Sequence, residues 1–403
     1  IWQMNFTKDL AAQQIWINFY NEILSKLPKY QIPVTVLEKE TSKEAVCQVF
    51  ENVNTGGIKL TAFELVTATF AMDNFQLRAD WKKRRDKNFS GDILKVVTET
   101  DFLTACTLLV SYSKNNVVSC KKKDVLNLQL EDYKNFADDL TFGFVEAEKF
   151  LNEERIFSSR DLPYTTQLIP LSVLCAILKK SNMLDVSNVR NKLRQWYWCG
   201  VFGELYGTAT ETRYVNDVVG FMNWINGGDL PKTVLDSNFS PMRLTTLQTR
   251  NSAAYKGFMA LILQNSAKDF ISGKAMDFIS YQSENIDIHH IFPQIYCEKN
   301  KFDKRKWNSI INKTPLSYKT NRKIGGNAPS KYLASLSLNV SQEDLINYLQ
   351  SHLINPVFLM NNDFDSFIAS RAGCLLDAVK NATGKEILGR NTDEIKRFFG
   401  RAI

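Results

Sequence analysis

The sequence predicts a mainly helical protein with small α+β elements, and two observations carry that expectation. From about residue 100 to 225, apolar residues recur at helical spacing with few strand signals. Strand-like stretches are short: Gln31–Leu37 (QIPVTVL), and the alternation of Ile286, Ile288 and Ile291 with polar Asp287 and His289, which enters a turn at Pro293. At 403 residues the chain can hold two or three domains with real cores. A composition of 44% apolar and 23% charged residues excludes wholesale disorder and fibrous repeats. The longest apolar stretch, Leu168–Leu178, is interrupted by Pro170 and falls far short of the ~20 residues that cross a bilayer. No basic-then-apolar signal opens the chain, so membrane and secreted readings are set aside and a cytoplasmic protein is expected. Seven cysteines (Cys47, Cys106, Cys120, Cys175, Cys199, Cys297 and Cys374) lie far apart with no CxxC pair. That usage fits a reducing compartment and removes zinc-finger and disulfide-scaffold readings.

The elements follow in order. Phe6–Leu27 carries apolar residues at helical spacing up to a stop at Pro28. After the short strand, Ser42–Phe50 reads as a helix, and Asn54-Thr55-Gly56-Gly57 as a tight turn. Thr61–Met72 restarts a helix, with Thr61 as cap and Glu64 at the capping-box position. The basic run Lys82–Lys87 is expected on an exposed helical face. Trp196, Tyr197, Trp198, Phe202 and Tyr206 stand at helical spacings and read as core. Gly227-Gly228-Asp229, Pro231 and Ser240-Pro241 mark the best linker, which sets the expected division at 1–95, 96–235 and 236–403. Beyond it come a helix over Ala253–Leu263, a helix over Ser341–His352 with Ser341 and Asp344 as capping box, and a helix from Asp363 to Val379 that stops before Gly384.

Chemistry concentrates in one segment. The protein has three histidines, and two are adjacent, His289 and His290. Strand alternation puts Asp287 and His289 on one face and His290 nearer the other, so one imidazole can face a metal while its neighbour faces a substrate. Asn312 and Asn321 follow, with Leu316–Lys323 expected as a short helix ending at Gly325-Gly326 and aiming Asn321 back at the strands. The net charge is a mild +7, but from His290 to Lys331 ten Lys and Arg stand against Glu298 and Asp303 alone. Such a cluster attracts polyanions through phosphate contacts and counterion release. Histidine, asparagine and histidine within a basic segment suit metal-assisted phosphodiester cleavage, in which a cation polarises the phosphate and a neutral imidazole takes a proton from water.

Residues 286–333 (IDIHHIFP…NKTPLSYKTNRKIGGNAPSKYL) closely resemble an HNH, or ββα-metal, nuclease motif. The version is that of the C-terminal domain of GmrSD-type, modification-dependent (type IV) restriction endonucleases. The resemblance implies His290 as general base. His289 becomes a metal ligand where many relatives carry aspartate, with Asn321 as the second protein ligand. Asn312 matches the middle asparagine that braces the loop carrying the base. Asp287 either adds a ligand or orients His289. Lys323 and Arg322 are candidates for phosphate contact or transition-state charge, and Lys319, Arg322 and Lys331 for DNA contact. Histidine in place of aspartate removes a hard anionic ligand, so Mn²⁺ or Ni²⁺ is expected to support activity at least as well as Mg²⁺.

Phe50–Leu60, with Glu64-Leu65 after it, resembles the family's other module, which has a ParB-like fold and is associated with nucleotide hydrolysis and sensing of modified DNA. Its glycine-rich turn makes Asn54, Gly56 and Gly57 candidates for binding an NTP phosphate through free N–H groups. The family's Asp-Gly-Gln-Gln-Arg signature, normally upstream, has no match here; Gln13-Gln14 stands in another context. Either the chain lacks a first portion or the activity is lost, and a start at Ile1 without methionine favours the former. The full expectation is a partial ParB-like α/β module (1–95), a helical middle (96–235) and an HNH nuclease domain embedded in C-terminal helices (236–403). Duplex DNA, modified or not, is the expected partner, with a nucleotide as second ligand; a homo-oligomer is left open, double-strand cutting by a single HNH site favouring a dimer or sequential nicks. Two other functions compete: a nucleotide or DNA sensor with an inactive HNH site, and an HNH ribonuclease toxin.

Overall fold

Helices dominate the computed structural model, and the one sheet among the described residues has two strands, so the mainly helical expectation holds. The described residues are 9–31, 34, 36, 41, 45, 49, 61–114, 117–208, 210–277 and 286–403. The chain divides into two units, residues 1–53 and 54–403. In the first, helix α1 (Leu10–Phe19) starts at Asp9, whose carboxylate accepts from the N–H groups of Ala11 and Ala12 at 3.0 Å each. The helix runs on as a π-helical turn through Tyr20–Leu24, and Leu27–Lys29, which contains Pro28, is a 3₁₀ turn. The expected strand at 31–37, the helix at 42–50 and the turn with Asn54, Gly56 and Gly57 lie wholly or largely outside the described residues.

In the second unit the Thr61–Glu64 capping box forms as expected, the Thr61 N–H donating to the Glu64 carboxylate at 3.0 Å. The basic run falls on the helix Leu77–Asn88, with Lys82, Lys83, Arg85 and Lys87 exposed while Arg84 turns inward to Asp80 at 2.7 Å. Helices α2 (Glu99–Ser113), α3 (Leu130–Glu153) and α4 (Leu168–Lys180) pack on one another. Gly143 lets α3 and α4 meet closely: a Cβ there would stand 2.2 Å from the Ser172 carbonyl oxygen. Helix α5 (Ser187–Phe202) carries Trp196, Tyr197, Trp198 and Phe202, all buried with Tyr206, so the aromatic group is core. Buried Glu154, just past α3, accepts from Trp198 Nε1 (2.8 Å), Arg194 Nε (2.6 Å) and Gln264 Nε2 (2.9 Å). That carboxylate ties α3 and α5 to α6 (Ala253–Gln264), the helix that precedes the histidine segment.

Within the stretch expected as a linker, residues 227–230 are exposed, while Phe239 further on meets the rings of Phe202 and Phe258 at 5.7 and 5.6 Å. Both expected boundaries, near 95 and 235, fall inside the second unit. Strands β1 (Ile286–His290) and β2 (Lys313–Ser317) pair antiparallel, with His289 opposite Thr314 and His290 opposite Lys313. Helix α7 (Tyr318–Ile324) follows directly, capped by Ser317; its expected first residue, Leu316, belongs to β2 instead. Helix α8 (Gln342–Ser351) starts at the Ser341 cap, with the Asp344 N–H donating to Ser341 Oγ at 3.0 Å. Helix α9 (Phe364–Thr383) runs a turn beyond Val379, since nothing stops it before Gly384, which takes the left-handed cap at φ 65°. No helix among the described residues is long and apolar enough to cross a membrane.

Candidate functional site

The strand–strand–helix unit β1–β2–α7 gathers most of the residues singled out by sequence. Asn312 lies fully buried just before β2 and is saturated: its Oδ1 accepts from the Phe292 N–H (2.8 Å), and its Nδ2 donates to the carbonyls of Phe292 and Trp307 (both 2.9 Å). The Ile291 N–H donates to the Asn312 carbonyl at 2.9 Å, and Tyr332 donates to the Ile291 carbonyl at 3.0 Å. The turn leaving β1 is thereby fixed from three sides.

His290 ends β1, with Trp307 edge-on at 5.7 Å between ring centroids. Its Nε2 donates to Asn308 Oδ1 at 3.3 Å, so in that tautomer Nδ1 is the proton-accepting nitrogen. Burial, and then the Lys313 ammonium, lower its pKa. His289 is 8% exposed and its Nε2 has no hydrogen-bond partner. Burial first, then His290, push its pKa down to about 4, which favours the neutral ring. Asn321, on α7, is the polar neighbour whose amide acts on this ring. An orphaned, buried, neutral imidazole nitrogen beside a side-chain amide is a donor pair suited to a divalent cation, with water and phosphate oxygens completing its shell. Among the described residues no group of three or more His, Cys, Asp or Glu stands together to hold a metal.

Asp287 is placed differently from its neighbours. Its carboxylate is exposed and held by Arg250 at 2.8 Å and by the Ile288 N–H at 2.7 Å. Both bonds fall on Oδ1, so its charge is shared with a guanidinium. Of the ten cations between His290 and Lys331, Arg305 pairs with Asp303 and Lys306 with Asp365, at 2.8 and 2.7 Å. Lys313 is buried, donates to the Gln248 carbonyl at 2.6 Å, and has its pKa pushed down by burial to about 8. The other seven are exposed, among them Lys319, Arg322, Lys323 and Lys331. On α7 the Arg322 guanidinium lies over the exposed Tyr318 ring at 5.7 Å, so the outer face of that helix offers cations and an aromatic plane.

Sequence reasoning missed the supports. Asn308 orients His290, and no spacing rule picks it from the loop. Arg371, buried on α9, donates from Nη1 to the carbonyls of Ile311 (2.6 Å) and Lys313 (2.9 Å), and from Nη2 to that of His352 (3.2 Å). His352, the third histidine, accepts from Thr314 Oγ1 at 2.6 Å through Nδ1 and donates to the Lys268 carbonyl at 2.8 Å through Nε2. It is a satisfied core histidine, held neutral by burial with its pKa pushed down to about 3. Only the rarity of histidine in the chain pointed to it.

Comparison with known proteins leaves the function open. No protein-family model matches the chain. It is similar to an uncharacterized protein of Methanocaldococcus jannaschii, 26% identical over 398 residues that cover 91% of this chain and 64% of the relative. The chain thus spans under two thirds of that relative's length.

Proposed function

We propose that this protein is a metal-dependent DNA endonuclease, and that it serves a restriction system as the resemblance in its histidine segment implies. The observation that carries the reading is the pairing, on one ββα unit, of an unpartnered buried His289 Nε2 beside Asn321 with a His290 ring whose far nitrogen is held by Asn308. A divalent cation held by His289 and Asn321 would supply positive charge to the scissile phosphate and the departing oxygen. His290 accepts, at Nδ1, the proton of the attacking water. The water oxygen forms the new bond to phosphorus while the bond from phosphorus to the leaving sugar oxygen breaks. Asn312 keeps the turn behind His290 from relaxing. Lys319, Arg322, Lys323 and Lys331 are exposed and outside any ion pair among the described residues, which leaves them available to the phosphate backbone.

The test is plasmid nicking with Mn²⁺ by the native protein and by His290→Ala. Native nicking that requires the metal and falls by roughly 10²–10⁴-fold in the variant supports the reading. Equal nicking by both sinks the assignment of His290. A strict requirement for Mg²⁺ counts against His289 as a ligand in place of a carboxylate.

A further inference from the structure

We infer that Asp269, forty-eight residues before Ser317 in sequence, is a positioning residue that sets the reach of Asn321 toward His289 by fixing the first turn of α7. The inference rests on the reading of His289 and Asn321 as metal ligands. Asp269 is 2% exposed, and both carboxylate oxygens are committed. Oδ2 accepts from the N–H of Ser317, the residue that caps α7, at 3.1 Å. Oδ1 accepts from Thr320 Oγ1 at 2.7 Å, the side chain immediately before Asn321. The same Oδ1 accepts from the N–H groups of Ile271 and Ser272 at 3.1 Å each, and from Ser272 Oγ at 3.3 Å. Burial alone would raise this carboxyl's pKa, but the donors of Ser317, Ser272, Thr320 and Ile271 outweigh it and hold the group below the ordinary range. A charged acceptor beneath a helix start also favours the helix dipole.

The loop that carries Asp269 is itself fixed to the other half of the site. Lys268 and Ala275 form an isolated antiparallel bridge that closes the loop. The Lys268 N–H donates to Ser351 Oγ at 3.0 Å, and the Lys268 carbonyl accepts from His352. His352 in turn accepts from Thr314, the residue opposite His289 across the sheet. One short loop therefore grips both the strand facing His289 and the helix bearing Asn321. Removing the carboxylate lets α7 shift against the strands, and the two donors lose their common geometry. A partner of this kind typically governs metal affinity by roughly 10–100-fold.

The experiment measures Mn²⁺ affinity of the full chain by electron paramagnetic resonance of the free ion, with nicking assayed against Mn²⁺ concentration. Asp269→Asn preserves volume but turns a donor toward N–H or O–H groups. It is expected to weaken Mn²⁺ binding about tenfold or more. Its nicking is expected to return toward the native rate at saturating Mn²⁺, a recovery that His290→Ala does not show. Thr320→Val removes a single bond and is expected to weaken binding several-fold in the same direction, and it decides the matter if Asp269→Asn does not fold. Phe144→Leu, a core change on α3, serves as a comparator for general destabilisation and should leave Mn²⁺ affinity unchanged. Native-like affinity in Asp269→Asn, or in Thr320→Val where the first variant fails to fold, overturns the inference if His289→Ala abolishes binding. Mn²⁺ binding that His289→Ala leaves untouched overturns the ligand reading itself, and this inference with it.

Discussion

Asn312 shows how one residue can be read from sequence and explained only by contacts. Its amide is an acceptor and a double donor, and the fold uses all three bonds on the turn between β1 and the following loop. Aspartate could accept but not donate, and serine could not span the loop. Asn312→Ala strands a buried N–H and two carbonyls, each at about 1–3 kcal/mol before relaxation. The expected result is a loss of several kcal/mol in urea unfolding and slower nicking at temperatures where the variant is still folded. Unchanged stability would show that the loop has other supports. His289 and His290 are neighbours in sequence with opposite surroundings: the one has a buried orphan nitrogen, the other a held one. Their types were legible, but their separate roles depend on Asn321 and Asn308, which reach them only in three dimensions.

At the scale of elements, caps were the most legible features because they are local. Thr61 with Glu64, and Ser341 with Asp344, form where spacing predicts them, since each bond closes within one helical turn. Helix contacts were not legible. Gly143 reads as a mild defect in α3, yet it is the point where α4 approaches closely enough that a Cβ would strike the Ser172 carbonyl. Helix propensity favours Gly143→Ala by about 1 kcal/mol, whereas a clash with backbone costs about 1–3 kcal/mol and the helices must part. Net destabilisation is therefore expected in urea unfolding, and a stabilised variant would refute the close contact. The segment 227–241, expected as a linker, joins exposed residues 227–230 to a buried Phe239 for a related reason. Glycine and proline mark turns, but whether a turn is exposed depends on a distant partner such as Phe258, which receives Phe239.

For the whole molecule, the buried network of Arg371, His352, Thr314, Lys268 and Asp269 joins α9, α8, the strands and α7 into one support behind the site. It carries a pH signature. His352 is buried neutral with a pKa of about 3 against an ordinary 6.5, so between those values the unfolded chain binds a proton that the folded chain refuses. Stability from this residue is complete above pH ~6.5 and falls as pH drops toward ~3, by an amount on the order of a few kcal/mol. Urea midpoints from pH 7 to 4 should decline less steeply in His352→Asn than in the native protein. Parallel slopes would place the acid sensitivity elsewhere.

The sequence by itself determined the helical character, the caps, the aromatic core and the segment in which two histidines and two asparagines meet a basic surface. Those features are set by periodicity, by bonds within a few residues, or by residue types that few other roles need. Only the tertiary structure decided that Asp287 serves Arg250, that Asn308 holds His290, and that Arg371, His352 and Asp269 stand behind the strands and α7. The physical reason is distance along the chain. A buried polar group must find a partner wherever the fold brings one, and for Asp269 and Arg371 those partners lie some fifty or sixty residues away, where no local pattern records them.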